Sequence, residues 1–250
     1  MKAIVCMKQV PDTESRITIN PEKTGVEQGD FSYIIGPYDE YAIEAALQLK
    51  EAAGEGEVVL LSVGDPSIKS TLQKGMAMGA DRSVLIEVDS YNGDALTTAR
   101  LLAAQLKTME YDIIFFGKQA PDDNNAQVGP MVGQLLGLPT VTAIAALEVQ
   151  EGKAVVEREV EGGREVYEVT LPALLTTEKG LNEPRYPSLK GIMQAKRKPV
   201  DLVSGEVAAA TTEQLTWSYP PSRAEGKIVG EGTAAVPELV RLLKEEAKVL

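Results

Sequence analysis

The feature that most constrains the fold is a repeated alternation. Short, continuous apolar runs are each followed by a stretch with helical periodicity, and this happens four times before residue 137. The runs are Ala3-Ile4-Val5-Cys6-Met7, Val58-Val59-Leu60-Leu61-Ser62-Val63, Val84-Leu85-Ile86 and Ile113-Ile114-Phe115-Phe116. A run that is apolar at every position, rather than at every second one, reads as a strand buried on both faces. Helices are predicted at 37–53, 68–78, 95–106 and 131–136. The first opens on Gly36-Pro37-Tyr38-Asp39-Glu40, where proline suits the first turn and the acids complement the positive dipole end. Gly54 and Gly79 supply stop signals. Strands alternating with helices predict an α/β fold, a Rossmann-like, doubly wound, mostly parallel sheet with right-handed crossovers.

After Pro139 the rhythm changes. Residues 143–149, 154–160 and 164–169 read as antiparallel strands joined by turns at Glu151-Gly152 and Gly162-Gly163, and 171–177 as a further apolar strand. Residues 8–13 read as the exit loop of the first strand, and 16–20 as half of a small hairpin. The expected organisation is one α/β domain over 1–200 with an antiparallel hairpin extension, then a C-terminal arm over 201–250. That arm carries Trp217, Tyr219, Pro220 and Pro221, which offer apolar surface without local partners, and ends in a helix over 236–250.

Composition narrows the chemistry. The 250 residues carry 25 Lys+Arg against 37 Asp+Glu, a net charge of -12, which disfavours nucleic acid and anionic membrane surfaces as partners. With no histidine and a single cysteine, Cys6, the chain can form neither a Ser-His-Asp triad nor a Cys-His pair, and it offers no internal disulfide or histidine metal site. No metal is expected. A chain so poor in nucleophile–base pairs reads as a binder or carrier. The start runs straight into a strand and no apolar run reaches about 20 residues, so a soluble cytoplasmic protein without membrane insertion is expected.

The most informative loop follows the 112–116 strand: Gly117-Lys118-Gln119-Ala120-Pro121-Asp122-Asp123-Asn124-Asn125-Ala126-Gln127-Val128. Loops leaving the carboxyl ends of such strands bind ligands in open α/β sheets. The N–H groups of the following helix favour an anion such as phosphate, and the Asp, Asn and Gln side chains suit a ribose or base. A solvated connecting loop has the same composition. Further on, 182–189 carries two prolines and an exposed aromatic, Tyr186. It leads into a short helix over 189–195 and the basic cluster Lys196-Arg197-Lys198, which suits either simple capping or a docking surface.

Taken in order, several of these stretches resemble the beta subunit of electron transfer flavoprotein. They are Val5-Cys6-Met7-Lys8-Gln9-Val10-Pro11-Asp12, Asp39-Glu40-Tyr41-Ala42-Ile43-Glu44-Ala45-Ala46, Ala77-Met78-Gly79-Ala80-Asp81-Arg82, the 117–130 loop, Glu157-Arg158-Glu159 and Leu181-Asn182-Glu183-Pro184-Arg185-Tyr186. The resemblance implies a heterodimer whose alpha subunit holds a redox-active FAD in a mobile domain, while the beta subunit binds AMP structurally. It places the nucleotide against Cys6, Gly36, Pro37, Tyr38, Asp39 and Val63. The same nucleotide is placed against the loop residues Gly117, Lys118, Gln119, Ala120, Asp122, Asp123, Asn124, Asn125, Ala126, Gln127 and Val128. It implies a partner-recognition segment with Glu183, Pro184, Arg185, Tyr186, Leu189, Ile192 and Met193, in which Leu189 is the apolar anchor. Arg158 and Glu159 match positions beside the alpha subunit's FAD domain in its closed state.

The function so implied is an electron carrier rather than a stand-alone enzyme. Electrons from acyl-CoA-type dehydrogenases pass to a quinone oxidoreductase or another acceptor, as in fatty acid oxidation. The cofactor supplies the redox chemistry and the protein supplies binding and orientation. Within the family the alternative is a bifurcating form with a second FAD in the AMP site, oxidising NADH. The Ala126-Gln127-Val128-Gly129-Pro130 ending is common in that form, whereas Asp123-Asn124-Asn125 is closer to the AMP-binding form. Outside it, the fold also suits a nucleotide-binding stress-type sensor.

Overall fold

The computed structural model describes residues 1–27, 31–88, 93–223 and 225–250. The chain begins with β1 (Lys2–Cys6), β2 (Gln9–Pro11), β3 (Tyr33–Ile35) and α1 (Pro37–Ala53). Two further strand–helix pairs follow: β4 (Glu57–Gly64) with α2 (Lys69–Met78), then β5 (Arg82–Glu87) with α3 (Ala95–Leu106). Next come β6 (Ile113–Gly117), α4 (Val128–Leu136), β7 (Thr140–Gln150), β8 (Lys153–Val160), β9 (Gly163–Thr170) and β10 (Ala173–Thr177). The chain closes with α5 (Leu189–Ala195), β11 (Val200–Ser204) and α6 (Val236–Glu245). Local signals set many of these ends. Gly54 stops α1 at φ 73°, a left-handed value that costs glycine little. Asp94 starts α3 by accepting the Thr97 N–H at 2.8 Å.

The main sheet has nine strands in the order β11-β5-β4-β1-β6-β10-β7-β8-β9. All pairs from β11 to β7 are parallel, and β7–β8 and β8–β9 are antiparallel. The expected doubly wound fold is present. Alternate residues of each parallel strand feed two separate cores, as the two-residue strand period requires. Val5, Leu60, Phe115 and Leu175 pack with Ile43 and Leu47 of α1 and Leu72 and Met76 of α2 on one face. Ile4, Leu61, Ile114 and Leu174 pack with Leu102 and Leu106 of α3 and Val132 of α4 on the other. Phe115, fully buried, gives about 2–3 kcal/mol by leaving water.

Several local expectations are corrected. β10 follows β9 in sequence yet inserts between β6 and β7, so the hairpin extension grows from the far side of a strand placed later in the chain. The 8–13 stretch is more than an exit loop, since β2 within it pairs antiparallel with β3. Residues 200–204, which carry little core-forming signal, pair along β5 as the edge strand β11. The last helix ends at Glu245 rather than 250, where Glu245 and Glu246 oppose the negative end of its dipole.

The chain divides into two compact units. The larger comprises residues 1–18 and 27–214 and contains the sheet. The smaller comprises 19–26 and 215–250. Within the smaller unit a turn at 20–25 is tied by Asn20, whose Oδ1 accepts the Thr24 N–H at 2.9 Å, and Ile19 bridges Val26 as the predicted hairpin requires. The Trp217 stretch has hydrogen-bond partners in this unit that are distant in sequence. The Trp217 N–H donates to the Lys23 carbonyl at 2.8 Å, and the Tyr219 hydroxyl accepts the Ile19 N–H at 2.8 Å. None of the residues of α6 is buried, and Val236, Leu239 and Val240 are exposed. Among the described residues no helix is long and apolar enough to cross a membrane, and no acidic or cysteine cluster is arranged to hold a metal ion.

Candidate functional site

The sheet reverses direction beside β1. The chain runs from β1 to β4 and β5 on one side, then returns to place β6 on the other. The loops leaving β1 and β6 therefore part at the carboxyl edge, where open α/β sheets bind ligands. Cys6 ends β1 as a buried residue, with burial pushing its thiol well above the ordinary range. Two residues later the Lys8 ammonium reaches across the crevice to Asp122 at 2.7 Å and Asp123 at 3.3 Å.

Beneath that bridge lies Asp39, in the first turn of α1 and 7 % exposed. Its Oδ2 accepts the Lys8 N–H at 2.8 Å and its Oδ1 accepts the Gly117 N–H at 2.9 Å. Burial pushes the carboxyl up to about 7, against the pull of those two N–H groups. The carboxylate also explains two glycines. A Cβ on Gly36 would lie 2.5 Å from Oδ2, and one on Gly117 2.5 Å from Oδ1. Pro37 and Tyr38 complete the turn, and the Tyr38 carbonyl accepts the Thr177 hydroxyl at 2.9 Å.

The loop after β6 is built from its own polar groups. Lys118 pairs with Glu178 and sits 5.1 Å above the Tyr38 ring, and its N–H donates to the Thr177 carbonyl at 3.0 Å. Gln119 donates to the Asn124 side chain at 2.9 Å, the Asn124 N–H to the Ala120 carbonyl at 2.8 Å, and the Asn125 N–H to Asp123 at 3.0 Å. Asn124 and Ala126 adopt left-handed φ of 52° and 53°, uncommon for residues with a Cβ and frequent near functional sites. Residues 122–127 are exposed. Gln127 precedes α4 without a side-chain cap, and α4 opens at Val128, three residues before the predicted start. The N–H groups of its first turn thus lack a side-chain acceptor from the cap position. Val63 lies one strand over. With Gln9, Tyr33, Gly64, Asp65 and Ser67 it lines a cleft of about 390 Å³ at the end of β4.

The 183–193 segment presents a separate surface. Tyr186, Leu189 and Met193 are 95 %, 83 % and 70 % exposed, and Ile192 is exposed beside them. The short helix beneath them is fixed from its other side. Ser188 accepts the Gly191 N–H at 3.0 Å, Ala195 is buried, and a Cβ on Gly191 would lie 2.5 Å from the Ala77 carbonyl at the end of α2. Of the basic cluster, Lys198 caps a helix other than its own, donating to the Met76 and Ala80 carbonyls at 3.0 and 2.5 Å. Lys196 and Arg197 are exposed. Glu183 is exposed and Pro184 half-buried.

Arg185 turns inward. Its guanidinium forks onto Glu44 at 2.8 and 2.9 Å and onto Glu51 at 2.5 and 3.1 Å, both on α1. The Glu44 side chain is only 4 % exposed. Burial raises its carboxyl and the Arg185 hydrogen bonds outweigh that, leaving it below the ordinary value of 4.5. A depressed folded-state pKa contributes stability above the unfolded value and loses it as pH falls. Arg185→Ala is therefore expected to cost about 2–3 kcal/mol near neutral pH, under the full buried-pair penalty because the arginine is partly solvated. The loss should shrink as pH falls below the ordinary carboxylate value of 4.5 and Glu44 protonates. Urea melts near neutral pH and below that value check it, and an equal loss at both would count against the ion pair as the cause.

Arg158 and Glu159 lie on β8, in the antiparallel extension and outside the crevice. Each is held across the strand pair: Arg158 faces Glu165, with Nε 3.6 Å from its carboxylate, and Glu159 pairs with Arg164 at 3.3 Å. Arg158 Nε is buried and makes no hydrogen bond. The Glu159 side chain is 64 % exposed.

Comparison with known proteins agrees with this arrangement. Residues 26–208 match the electron transfer flavoprotein domain. The whole chain is 40 % identical to the electron transfer flavoprotein subunit beta of Syntrophomonas wolfei, over 98 % of that protein, and 40 % identical to that of Bacillus subtilis over its full length. The chain belongs to the electron transfer flavoprotein family, as a beta subunit. It is also 35 % identical to the caffeyl-CoA reductase–Etf complex subunit CarD of Acetobacterium woodii, over 98 % of this chain. Membership carries an electron-transfer role, association with flavin and an alpha-subunit partner.

As an electron transfer flavoprotein beta subunit, the chain joins the exits of β1 and β6 through Asp39, which takes the Lys8 and Gly117 N–H groups, and through Lys8, which reaches Asp122 and Asp123. It sets Val63 in the adjoining cleft and keeps Arg158, Glu159 and the 183–193 segment elsewhere. Sequence reasoning passed over Lys8, Thr177 and Glu178 as site residues. Lys8 had one available signal, an unpaired charge immediately after a buried strand. Thr177 and Glu178 had none, because the position of β10 beside β6 is not encoded locally.

Proposed function

We propose that this chain is the structural and docking half of a heterodimeric electron carrier. In this reading it binds AMP at the switch-point crevice, holds the alpha subunit, and presents Leu189 to acyl-CoA-type dehydrogenases, whose electrons go on to a quinone oxidoreductase or another acceptor. The crevice carries the reading. The Lys8 ammonium and the uncapped start of α4 suit a phosphate, and Asp122, Asn124, Asn125 and Gln127 suit a ribose or base. FAD, held mainly by the alpha subunit, supplies the redox chemistry. The residues of this chain bind, orient and exclude.

Three surfaces divide the work in this proposal. Tyr186, Leu189, Ile192 and Met193 form the apolar anchor for the dehydrogenase, with Glu183 and Pro184 at its edge and Arg185 holding the segment to α1. Arg158 and Glu159 face the FAD domain when it closes, and Glu159 exchanges its exposed Arg164 contact for a partner arginine. The arm beyond residue 214, with the exposed apolar side of α6, packs on the alpha subunit. A second reading, an FAD in the AMP site of a bifurcating complex, is supported by the Ala126-Gln127-Val128-Gly129-Pro130 ending.

The test is to co-express the chain with its alpha subunit, denature the purified complex and quantify the released nucleotides. One FAD and one AMP per heterodimer are expected. Two FAD and no AMP would favour the bifurcating reading, and the absence of both would overturn the proposal.

A further inference from the structure

We propose that Asp39 is the positioning residue of the nucleotide site: its two carboxylate oxygens, one on the Lys8 N–H and one on the Gly117 N–H, lock the exits of β1 and β6 together and set loop 117–127 for binding. This rests on the nucleotide reading above. Resemblance alone puts Asp39 among the residues that touch the ligand. The geometry gives its side chain other work, because both oxygens are already engaged at 2.8 and 2.9 Å and the group is buried. Gly36 and Gly117 have no Cβ where the carboxylate sits, so the two strand exits close around it. Above it, the Lys8 side chain spans the same two loops through Asp122 and Asp123. Main chain and side chain of Lys8 thus both depend on where Asp39 holds it.

The clamp needs an ionised carboxylate. Protonation turns one acceptor oxygen into a hydroxyl, a donor and a much poorer acceptor for an N–H. Burial sets the proton equilibrium of Asp39 at about 7, within the range a cell visits. The groups that bear on it are Lys8, which favours ionisation, and Asp122, which opposes it. Its charge in turn acts on the Cys6 thiol of β1. Lys118 and Glu178, from the exits of β6 and β10, pair with each other, and Thr177 bonds to the neighbouring Tyr38 carbonyl. Each of the two N–H bonds favours the ionised form, so a loosened site in which Asp39 stays buried binds the proton more tightly than the clamped one; below about pH 7 protonation therefore favours the loosened arrangement and the site should weaken.

The experiment uses the nucleotide-free heterodimer, wild type and Asp39→Asn, with adenosine as the probe. Adenosine lacks the phosphate, whose own titration near pH 6 would otherwise mix with that of Asp39. Asparagine keeps the shape but offers one acceptor where two are needed. The variant is expected to bind adenosine about tenfold more weakly at about pH 8, a loss comparable to one charge-assisted hydrogen bond. Wild-type affinity is expected to fall about fivefold from about pH 8 to about pH 6, while that of the variant stays flat. Hydrogen exchange at Lys8 and Gly117 should be faster in the variant. A merely structural loss would lower affinity without removing the pH dependence. Equal affinity, or the same pH profile in both proteins, overturns the inference. If the wild type binds neither adenosine nor AMP, the nucleotide reading fails on its own, and unchanged exchange at the two amides then overturns the clamp. Should the variant not assemble, the wild type decides: intrinsic-rate-corrected exchange at Gly117 that is flat across pH 7 overturns it.

Discussion

Gly117→Ala is expected to destabilise the protein by about 2–4 kcal/mol and, on the proposed function, to empty the nucleotide site. The added Cβ would meet Asp39 Oδ1 at 2.5 Å, Tyr38 Cβ at 2.7 Å and the Asp39 amide nitrogen at 2.9 Å. None of these is the free end of a flexible chain. The first belongs to a carboxylate held by two N–H groups, one on each oxygen, and the others belong to the first turn of α1, which Thr177 pins from β10. Relief therefore has to come from moving β6 away from α1. Overpacking of this kind costs about 1–3 kcal/mol, and loss of the Gly117 N–H to the carboxylate adds about 1.5 kcal/mol or more. Gly163→Ala is the matched control, because a Cβ there meets nothing within 4 Å and its φ is not left-handed. It should change stability by no more than about 0.5 kcal/mol. Urea melts and the AMP content of the heterodimer check both. A Gly117→Ala protein that melts like wild type and keeps its nucleotide would refute the picture of a closed clamp.

Leu189→Arg is expected to cut electron transfer from a dehydrogenase at least about 30-fold while leaving the fold intact. A central anchor residue typically carries about 2 kcal/mol or more of binding energy, and a charge placed in an apolar pocket adds desolvation to the lost contact. At 83 % exposed, Leu189 contributes little to its own domain. The helix is held by the Ser188 cap, the tight approach of Gly191 to Ala77 and the buried Ala195. The melt should therefore stay within about 0.5 kcal/mol of wild type and the FAD content should be unchanged. The defect should appear as a raised KM for the dehydrogenase, with the rate at saturating dehydrogenase little altered, since the proposal gives this contact to docking rather than to the flavin. Undiminished transfer would mean that the exposed row Tyr186, Leu189, Ile192 and Met193 docks something else.

The two substitutions mark the boundary between local and long-range information. Leu189 and its neighbours are legible in the chain itself. The residues themselves show a proline-rich stretch with an exposed aromatic, Tyr186, before a short helix and a basic cluster, and the family resemblance singles out Leu189, Ile192 and Met193 within it. The same holds for the four buried strands, for the glycine stop of α1 and for the polar loop after β6, each specified by the period or chemistry of a few adjacent residues. Those signals sufficed for the α/β class and the doubly wound sheet, and the linear order of motifs sufficed for the family.

What only the tertiary structure decided is which distant groups meet. Asp39 reads as a dipole-favouring acid at a helix start, yet its oxygens hold amides 31 residues back and 78 residues ahead. Arg185 reads as an exposed recognition residue, yet it is spent on Glu44 and Glu51, more than 130 residues away. Lys198 reads as the cap of its own helix, and it caps α2 instead. β10 and β11 read as a strand after a hairpin and the start of an arm, but they become an internal strand and an edge of the same sheet. The reason is physical. Periodicity and capping are settled within a turn or two of chain, whereas strand order and charge pairing depend on which loop closures are repaid by burial in one packed sheet, and no local window contains that balance.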